Sequence, residues 1–440
     1  MPSSRLLIPA TVTAGAFHPL NEQIDICDEA PSLRYRDARG SKPVPSEPAA
    51  EPIPGGATTA AFGKERPRVV FLWESFGPHH VDRCEACVAQ LGDRYEICGV
   101  EIATFDANYQ WRGSTGADGF AKLTLFPGVV RQKISTWRCF GRIMAACLRL
   151  RAKYIFLCNY DAPAIFLSAV FLRLLGRRVI IMQDSKFDDK QRYLLKEAMK
   201  SLLYRPYSAA LVAGHRTKSY LAFLGIPEER IFIGYDTVST ARVRRWAESE
   251  PAPGGAPHGE RHFTIVARFV PKKNLTLALD AYGAYAAQHP GVPRALHLCG
   301  SGELEPMLRR HAEGLGVGGI HFRGYLQEHE IARVLASSLA LILPSIEEQH
   351  GLVINEAIAM GVPVLASDNC GARDLLIRSG INGYIFEPDN VAGLAHFMAL
   401  LDQGPAEWAR LAEGTRQFEP AADTGFFVAA VDRVLSHFAR

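Results

Sequence analysis

Two carboxylates eight residues apart, Glu348 and Glu356, lie in the part of this sequence richest in chemistry: Pro344-Ser345-Ile346-Glu347-Glu348-Gln349-His350-Gly351-Leu352-Val353-Ile354-Asn355-Glu356-Ala357. Residues 339–343 before it form an apolar run of strand length, ended by Pro344. The pattern then predicts a helix over 351–360, stopped by Gly361, with Pro363 opening the next strand. Glu348 therefore belongs to a loop at a strand's carboxyl end, the edge where open α/β sheets bind ligands. Glu356 falls inside the helix. The amides of His350, Gly351, Leu352 and Val353 open that helix without intrahelical acceptors, an arrangement that favours an anion. Acidic residues are also common in first helical turns, where they complement the helix dipole, so the pair alone does not define a site.

A second cluster falls at the same kind of edge. The strand predicted over 263–267 runs into Arg268-Phe269-Val270-Pro271-Lys272-Lys273-Asn274, and a helix begins near Leu275. Arg268 and Lys273 supply two fixed cations there. Two fixed cations of this kind can hold an anion and stabilise an anionic leaving group without a metal. No two aspartates in the chain stand two apart, so no Asp-x-Asp metal motif is present. A third strand, 296–299, ends in the tight turn Gly300-Ser301-Gly302, and a fourth, 320–324, ends at Tyr325 and Leu326.

The full string of strand, Pro-Ser, Glu-x7-Glu, Ala-x-x-x-Gly-x-Pro-Val and Ser-Asp resembles the nucleotide-sugar site of the retaining glycosyltransferases of family 4. Those enzymes have the α/β fold called GT-B, two Rossmann-like domains facing a cleft. The likeness covers residues 262–390 well and the N-terminal half in outline. It implies transfer of a sugar from a nucleotide-diphosphate sugar to a hydroxyl acceptor, lipid-linked or otherwise, in the synthesis of polysaccharide or glycolipid. No cofactor or metal is expected beyond that donor. Arg268 and Lys273 match the residues that hold the diphosphate, Glu348 the one at the donor sugar, and Glu356 the one at the ribose hydroxyls. Gly300 and Gly302 match the turn beneath the nucleotide, and Tyr325 and Leu326 the strand end that meets the base.

The sequence also departs from the family. The usual Glu-Gly-Phe-Gly is Glu348-Gln349-His350-Gly351, and the His many members carry after the strand over 179–182 is replaced by Gln183 and Asp184, followed by Ser185 and Lys186. Gln183 or Asp184 is expected to join Glu348 at the reacting sugar, with Lys186 lining the cleft. Two other readings fit the same residues: another GT-B enzyme, such as a nucleotide-sugar epimerase or hydrolase, and a non-catalytic protein that binds sugar nucleotides.

The rest of the chain must position these groups. Its 440 residues suffice for two cores, with 22% charged residues and a formal charge of +3, and no nucleic-acid module is recognisable. Nine scattered cysteines fit reduced thiols in the cytoplasm, and there is neither an apolar span of membrane length nor a signal-peptide pattern. Residues 1–65 are expected to be a disordered or loosely docked extension. An N-terminal Rossmann-like acceptor domain is expected over 66–238, a linker over 239–261 and the nucleotide-sugar domain over 262–420. A last helix over 421–440 would pack back on the N-terminal domain. The first strand, 68–73, leads into a loop whose Gly77, His79 and His80 are expected to face the cleft. No Gly-x-Gly-x-x-Gly follows it, which argues against a nicotinamide or flavin dinucleotide. Residues 131–153 carry seven cations and no acidic residue. That helix is either a solvated face or a peripheral contact with an anionic membrane, at its inner surface.

Overall fold

The computed structural model describes residues 66–105, 119–158, 160–289 and 291–439. The extension read over 1–65 lies outside them.

Among the described residues seven strands form the first sheet: β1 (Arg68–Trp73), β2 (Glu96–Phe105), β3 (Ala121–Val130), β4 (Tyr154–Leu157), β5 (Arg178–Gln183), β6 (Ala209–Val212) and β7 (Ile231–Ile233). Their order is β3-β2-β1-β4-β5-β6-β7 and every ladder is parallel. The central strands are runs of Val, Ile, Leu and Phe buried on both faces, the signature of parallel strands sandwiched between helices. The helices are α1 (Pro78–Leu91), α2 (Thr136–Arg149), α3 (Pro163–Leu174), α4 (Leu194–Tyr204) and α5 (His215–Phe223). α1 leads one way along the sheet, from β1 to β2, whereas α2 to α5 lead the other way. Right-handed crossovers therefore put α1 on one face and α2 to α5 on the opposite face.

After α6 (Thr240–Ala247), six strands build the second sheet: β8 (His262–Val266), β9 (Leu296–Cys299), β10 (Ile320–Gly324), β11 (Ser338–Leu343), β12 (Val364–Ser367) and β13 (Gly383–Phe386). They are ordered β10-β9-β8-β11-β12-β13, again wholly parallel. The remaining helices are α7 (Leu275–Gln288), α8 (Glu305–Gly314), α9 (Glu328–Ala336), α10 (Val353–Ala359), α11 (Arg373–Leu376), α12 (Val391–Gln403), α13 (Pro405–Gly414), α14 (Glu419–Ala422) and α15 (Thr424–His437). α15 leaves the second lobe and buries Phe427, Val431 and Val434 in the first lobe's core, against α1. No helix of the described residues is long and apolar enough to cross a membrane.

Three local readings change. The sequence predicts no strand over 121–130, where Pro127 and Gly128 interrupt the pattern, yet the structure has β3 there. It is an edge strand, where a missing N–H is tolerated. The stretch read as a linker over 239–261 contains α6, which is capped by the Ser239 hydroxyl accepting from the Arg242 amide and packs on α9 and α10. The helix expected from Gly351 starts at Val353, because Gly351 takes a left-handed φ of +98° that no helix contains.

Candidate active site

Strand order puts β8 and β11 side by side, so the loops at their carboxyl ends are neighbours. They are laced together. The amide of Ile346 donates to the Lys272 carbonyl at 2.9 Å, and the Asn274 side-chain amide donates to the carbonyls of Pro344 and Pro388 at 3.1 and 2.7 Å. Asn274 is itself left-handed, which turns the chain from the Pro271–Lys273 turn into α7. The consequence is an ion pair between the Lys273 ammonium and the buried Glu348 carboxylate. The Ser345 hydroxyl donates to the same Glu348 oxygen at 3.1 Å. The backbone of Glu348 is fixed from the other side, its carbonyl accepting from the Gly371 amide at 3.0 Å. Arg268 is exposed at the end of β8, in the same loop.

Gly300 and Gly302 are glycines for a reason nearer than any ligand. A Cβ on Gly300, whose φ is +145°, would stand 1.8 Å from the Ala267 carbonyl oxygen, and one on Gly302 2.5 Å from that of Phe269. The turn is pressed against the loop that carries Arg268, and the Phe269 amide donates to the Ser301 carbonyl at 2.8 Å. The Gly300 amide donates to the Gly324 carbonyl at 2.7 Å, which brings exposed Tyr325 and half-buried Leu326 beside the turn.

Glu356 has different surroundings. It is half-buried on α10, and its electrostatic neighbours are Arg242, Glu328 and Asp82. Burial pushes its carboxyl up to about 7; Arg242 opposes the shift and the two acids add to it. Asp82 is held by Arg242 through contacts of 2.7 and 2.8 Å. Glu348 and Glu356 are therefore not a carboxylate pair with a shared environment.

The loop after β5 divides. Gln183 is buried and its amide donates to the Tyr204 hydroxyl at 3.1 Å. Lys186, also buried, holds Asp189 at 2.6 Å. Both side chains are committed to internal partners. Asp184 is half-buried, and its carboxyl is raised first by burial and then by Asp236, with Glu348 also contributing. Its carboxyl is thus electrostatically joined to the Glu348 site, and Lys186 reaches the same site through Cys370, which lies in the fields of Glu348, Lys273 and Lys186.

His79 and His80 lie in the first turn of α1 and not in the loop expected before it. His80 is buried, accepts at Nδ1 from the Gly77 amide at 3.0 Å and stacks on Trp73 with ring centres 4.5 Å apart. Burial holds its pKa well below the imidazole range, so it is a neutral capping group. His79 is half-buried and likewise lowered, by burial and then by Arg83 and Arg242.

The sequence reading missed the network that joins this site to the lobe junction. Buried Asp236, just after β7, receives Arg83 at 3.2 Å and faces His350 Nδ1 at 3.9 Å. Asn355 donates to the backbone carbonyls of Asp236 and Ala422, both at 3.1 Å, which leaves its Oδ1 to face His350 Nε2 at 3.1 Å. Nε2 is therefore the protonated nitrogen. His350 Nδ1 and Asp236 Oδ2, both without a hydrogen bond among the described residues, then confront each other as two buried acceptors. Polar residues following a strand end, as in Gly234-Tyr235-Asp236-Thr237, were the available signal.

Further along the junction, Arg216 on α5 reaches the second lobe. It donates to the Asp368 carbonyl at 2.8 Å and pairs with Asp374 at 3.2 Å, while its other nitrogen holds Asp188 at 2.6 Å.

Two wholly parallel α/β lobes, with their carboxyl-end loops converging on Glu348, constitute the GT-B fold. The Anabaena protein HepE, solved in complex with UDP, superposes with a TM-score of 0.62 at 15% identity, covering 84% of this chain and all of that one. Residues 247–418 match the family described as glycosyl transferases group 1. The amylovoran biosynthesis glycosyltransferase AmsK of Erwinia amylovora is 25% identical over 243 residues, 53% of this chain and 57% of that protein. The D-rhamnosyltransferase WbpZ of Pseudomonas aeruginosa is 24% identical over 272 residues, 57% of this chain and 65% of that protein. The chain thus spans less than two thirds of the length of these curated relatives.

Proposed function

We propose that this chain is a metal-independent retaining glycosyltransferase that moves a sugar from a nucleotide-diphosphate sugar to a hydroxyl acceptor, in the manner of family 4. The observation that carries the reading is the Lys273–Glu348 pair, set at the carboxyl edge of the second sheet with Arg268 in the same loop. A fixed ammonium and a guanidinium there suit a diphosphate, and the buried carboxylate suits a sugar hydroxyl beside it.

In this reading Arg268 and Lys273 take the diphosphate and stabilise its departure. Glu348 binds the donor sugar, Glu356 the ribose hydroxyls, and the backbone around residues 350–353 borders the donor. Tyr325 and Leu326 flank the base. Asp184 takes over the sugar-facing position of the family's His. The separate environments of Glu348 and Glu356 argue against an acid–nucleophile pair, whose carboxyls would stand about 5 Å apart across one bond. The acceptor hydroxyl instead attacks from the leaving-group face and passes its proton to a phosphate oxygen. The acceptor is a lipid-linked or polysaccharide hydroxyl met at the inner face of an anionic membrane, toward which the cations of residues 131–153 are drawn.

The test is a thermal-shift screen of the purified chain against UDP-, GDP- and ADP-sugars, since a ligand that binds only the native state raises its apparent stability. A hit is followed by NMR of the product's anomeric centre. Stabilisation by one donor class and a retained anomer support the reading. The absence of any binding overturns it, and donor turnover with water alone reassigns the site to a hydrolase.

A further inference from the structure

Helix α4 is built inside out. Its buried residues are Glu197 and Tyr204, and the Glu197 carboxylate faces inward to accept from the Tyr220 hydroxyl at 2.5 Å and the Lys200 ammonium at 2.9 Å. Its apolar residues face out: Leu194 is 85% exposed, Leu195 76%, Met199 62% and Leu202 51%. The exposed rings of Phe187 and Phe223, 5.7 Å apart, add apolar surface on the same lobe. Exposed single apolar residues are ordinary, but a contiguous set on one helix marks an interaction surface. Among the described residues, the exposed large hydrophobics other than Val292, Tyr325, Ile346 and Ile381 all belong to the first lobe. The asymmetry is a property of one lobe and not of the whole surface.

We infer that α4 is an in-plane anchor that lays Leu194, Leu195, Met199 and Leu202 into the surface of an anionic bilayer. The rim of the patch selects this occupant. Lys190, Lys196 and Arg205 are exposed around it, and the one carboxylate between residues 190 and 205 is the inward Glu197. Nearby Asp188 is neutralised by Arg216. An apolar stripe edged mostly by cations fits acyl chains beneath negative headgroups. A second copy of the chain fits poorly, because a two-fold contact would bring two cationic rims together. Crossover handedness places α2 on the same face of the sheet, so exposed Lys133, Arg138 and Arg149 add charge on the side that would meet the bilayer. The basic helix supplies long-range attraction and α4 the apolar hold. None of this depends on the transferase reading, because partition is measured without a sugar donor.

The test is flotation of the full chain with vesicles of phosphatidylcholine alone and with phosphatidylglycerol mixed in. The expected result is partition onto the anionic vesicles, reduced about tenfold or more in Leu195→Ser/Met199→Ser. Both side chains are exposed, so melting of the variant, followed by circular dichroism, stays at the wild-type value. Lys190→Gln/Lys196→Gln weakens partition and blunts its salt dependence. The inference is overturned if the wild-type chain ignores anionic vesicles or if the serine variant floats as well as wild type. It is equally overturned if the lipid-free chain is a dimer that the serine variant dissociates, which would give the face to a second copy.

Discussion

At the scale of single residues the site is governed by charges taken out of water. Glu348 is buried against Lys273, and a buried ion pair that loses one member costs about 3–5 kcal/mol because the other is stranded. Lys273→Met is therefore expected to lower the urea midpoint more than Lys273→Met/Glu348→Gln does, a double-mutant cycle that reports direct coupling. Glu348→Gln alone is expected to keep its fold and lose about 10²-fold or more in kcat with whichever donor the screen finds. Glu356 adds a pH signature. Its folded pKa is raised from 4.5 to about 7, so its contribution to stability is complete at low pH and is lost as pH rises through about 7. The wild-type melting temperature is expected to fall across that window, and Glu356→Gln to flatten the fall. An unchanged slope in the variant would mean that another group titrates there. These positions stood out because of the string they sit in, Arg-x4-Lys followed by Glu-x7-Glu, and its resemblance to a known site; the residue types alone would not have marked one. Their pairing was not legible. That Lys273 meets Glu348 follows from which strands are neighbours, and that His350 confronts Asp236 depends on a contact 114 positions apart in the chain.

At the scale of elements, the β9 turn shows how a loop is held by backbone approach and not by side chains. Gly300→Ala must push a Cβ into the Ala267 carbonyl and hold a left-handed φ, which together are expected to cost about 3 kcal/mol in a urea titration. The strain falls on the loop bearing Arg268, so donor affinity is expected to drop with it; a variant as stable as wild type would show that the turn can move. The alternation of apolar strands and amphipathic helices was legible because both sheets are parallel and buried, which leaves long uninterrupted runs of Val, Ile and Leu. Where an element owes its existence to its neighbours, the sequence was silent. β3 is half-exposed and carries a proline and a glycine, and it is a strand because β2 offers it a free edge. α6 lies in a segment whose later residues are rich in proline and glycine, and its cap and its packing on α9 make it a helix. His80 looked like a loop residue until the proline at the start of α1 and the Gly77 amide bonded to its ring drew it into the first turn.

At the scale of the whole molecule the two lobes are joined, among the described residues, by connections of unlike kinds. The chain crosses between them after β7 and returns through α15. Asn355 bridges both crossings by holding the carbonyls of Asp236 and Ala422. This covalent and buried part has no reason to open. Arg216 is different: it is partly exposed, and its contacts to Asp368 and Asp374 join α5 to the loop after β12 and to α11. Partly exposed ion pairs contribute about 0–1 kcal/mol each, too little to hold the fold but enough to bias an opening of the lobes several-fold. Arg216→Ala is accordingly expected to shift the donor-free chain toward a larger radius of gyration in solution scattering, with a change in urea midpoint too small to register as unfolding. The wild-type chain is expected to follow it as salt is raised, since screening weakens the same pairs, whereas the variant stays insensitive. Because a closed cleft must be reopened to admit substrate, the variant's KM and kcat are expected to move together. A radius that responds to salt equally in both proteins would place the flexible joint elsewhere and reduce Arg216 to a surface contact.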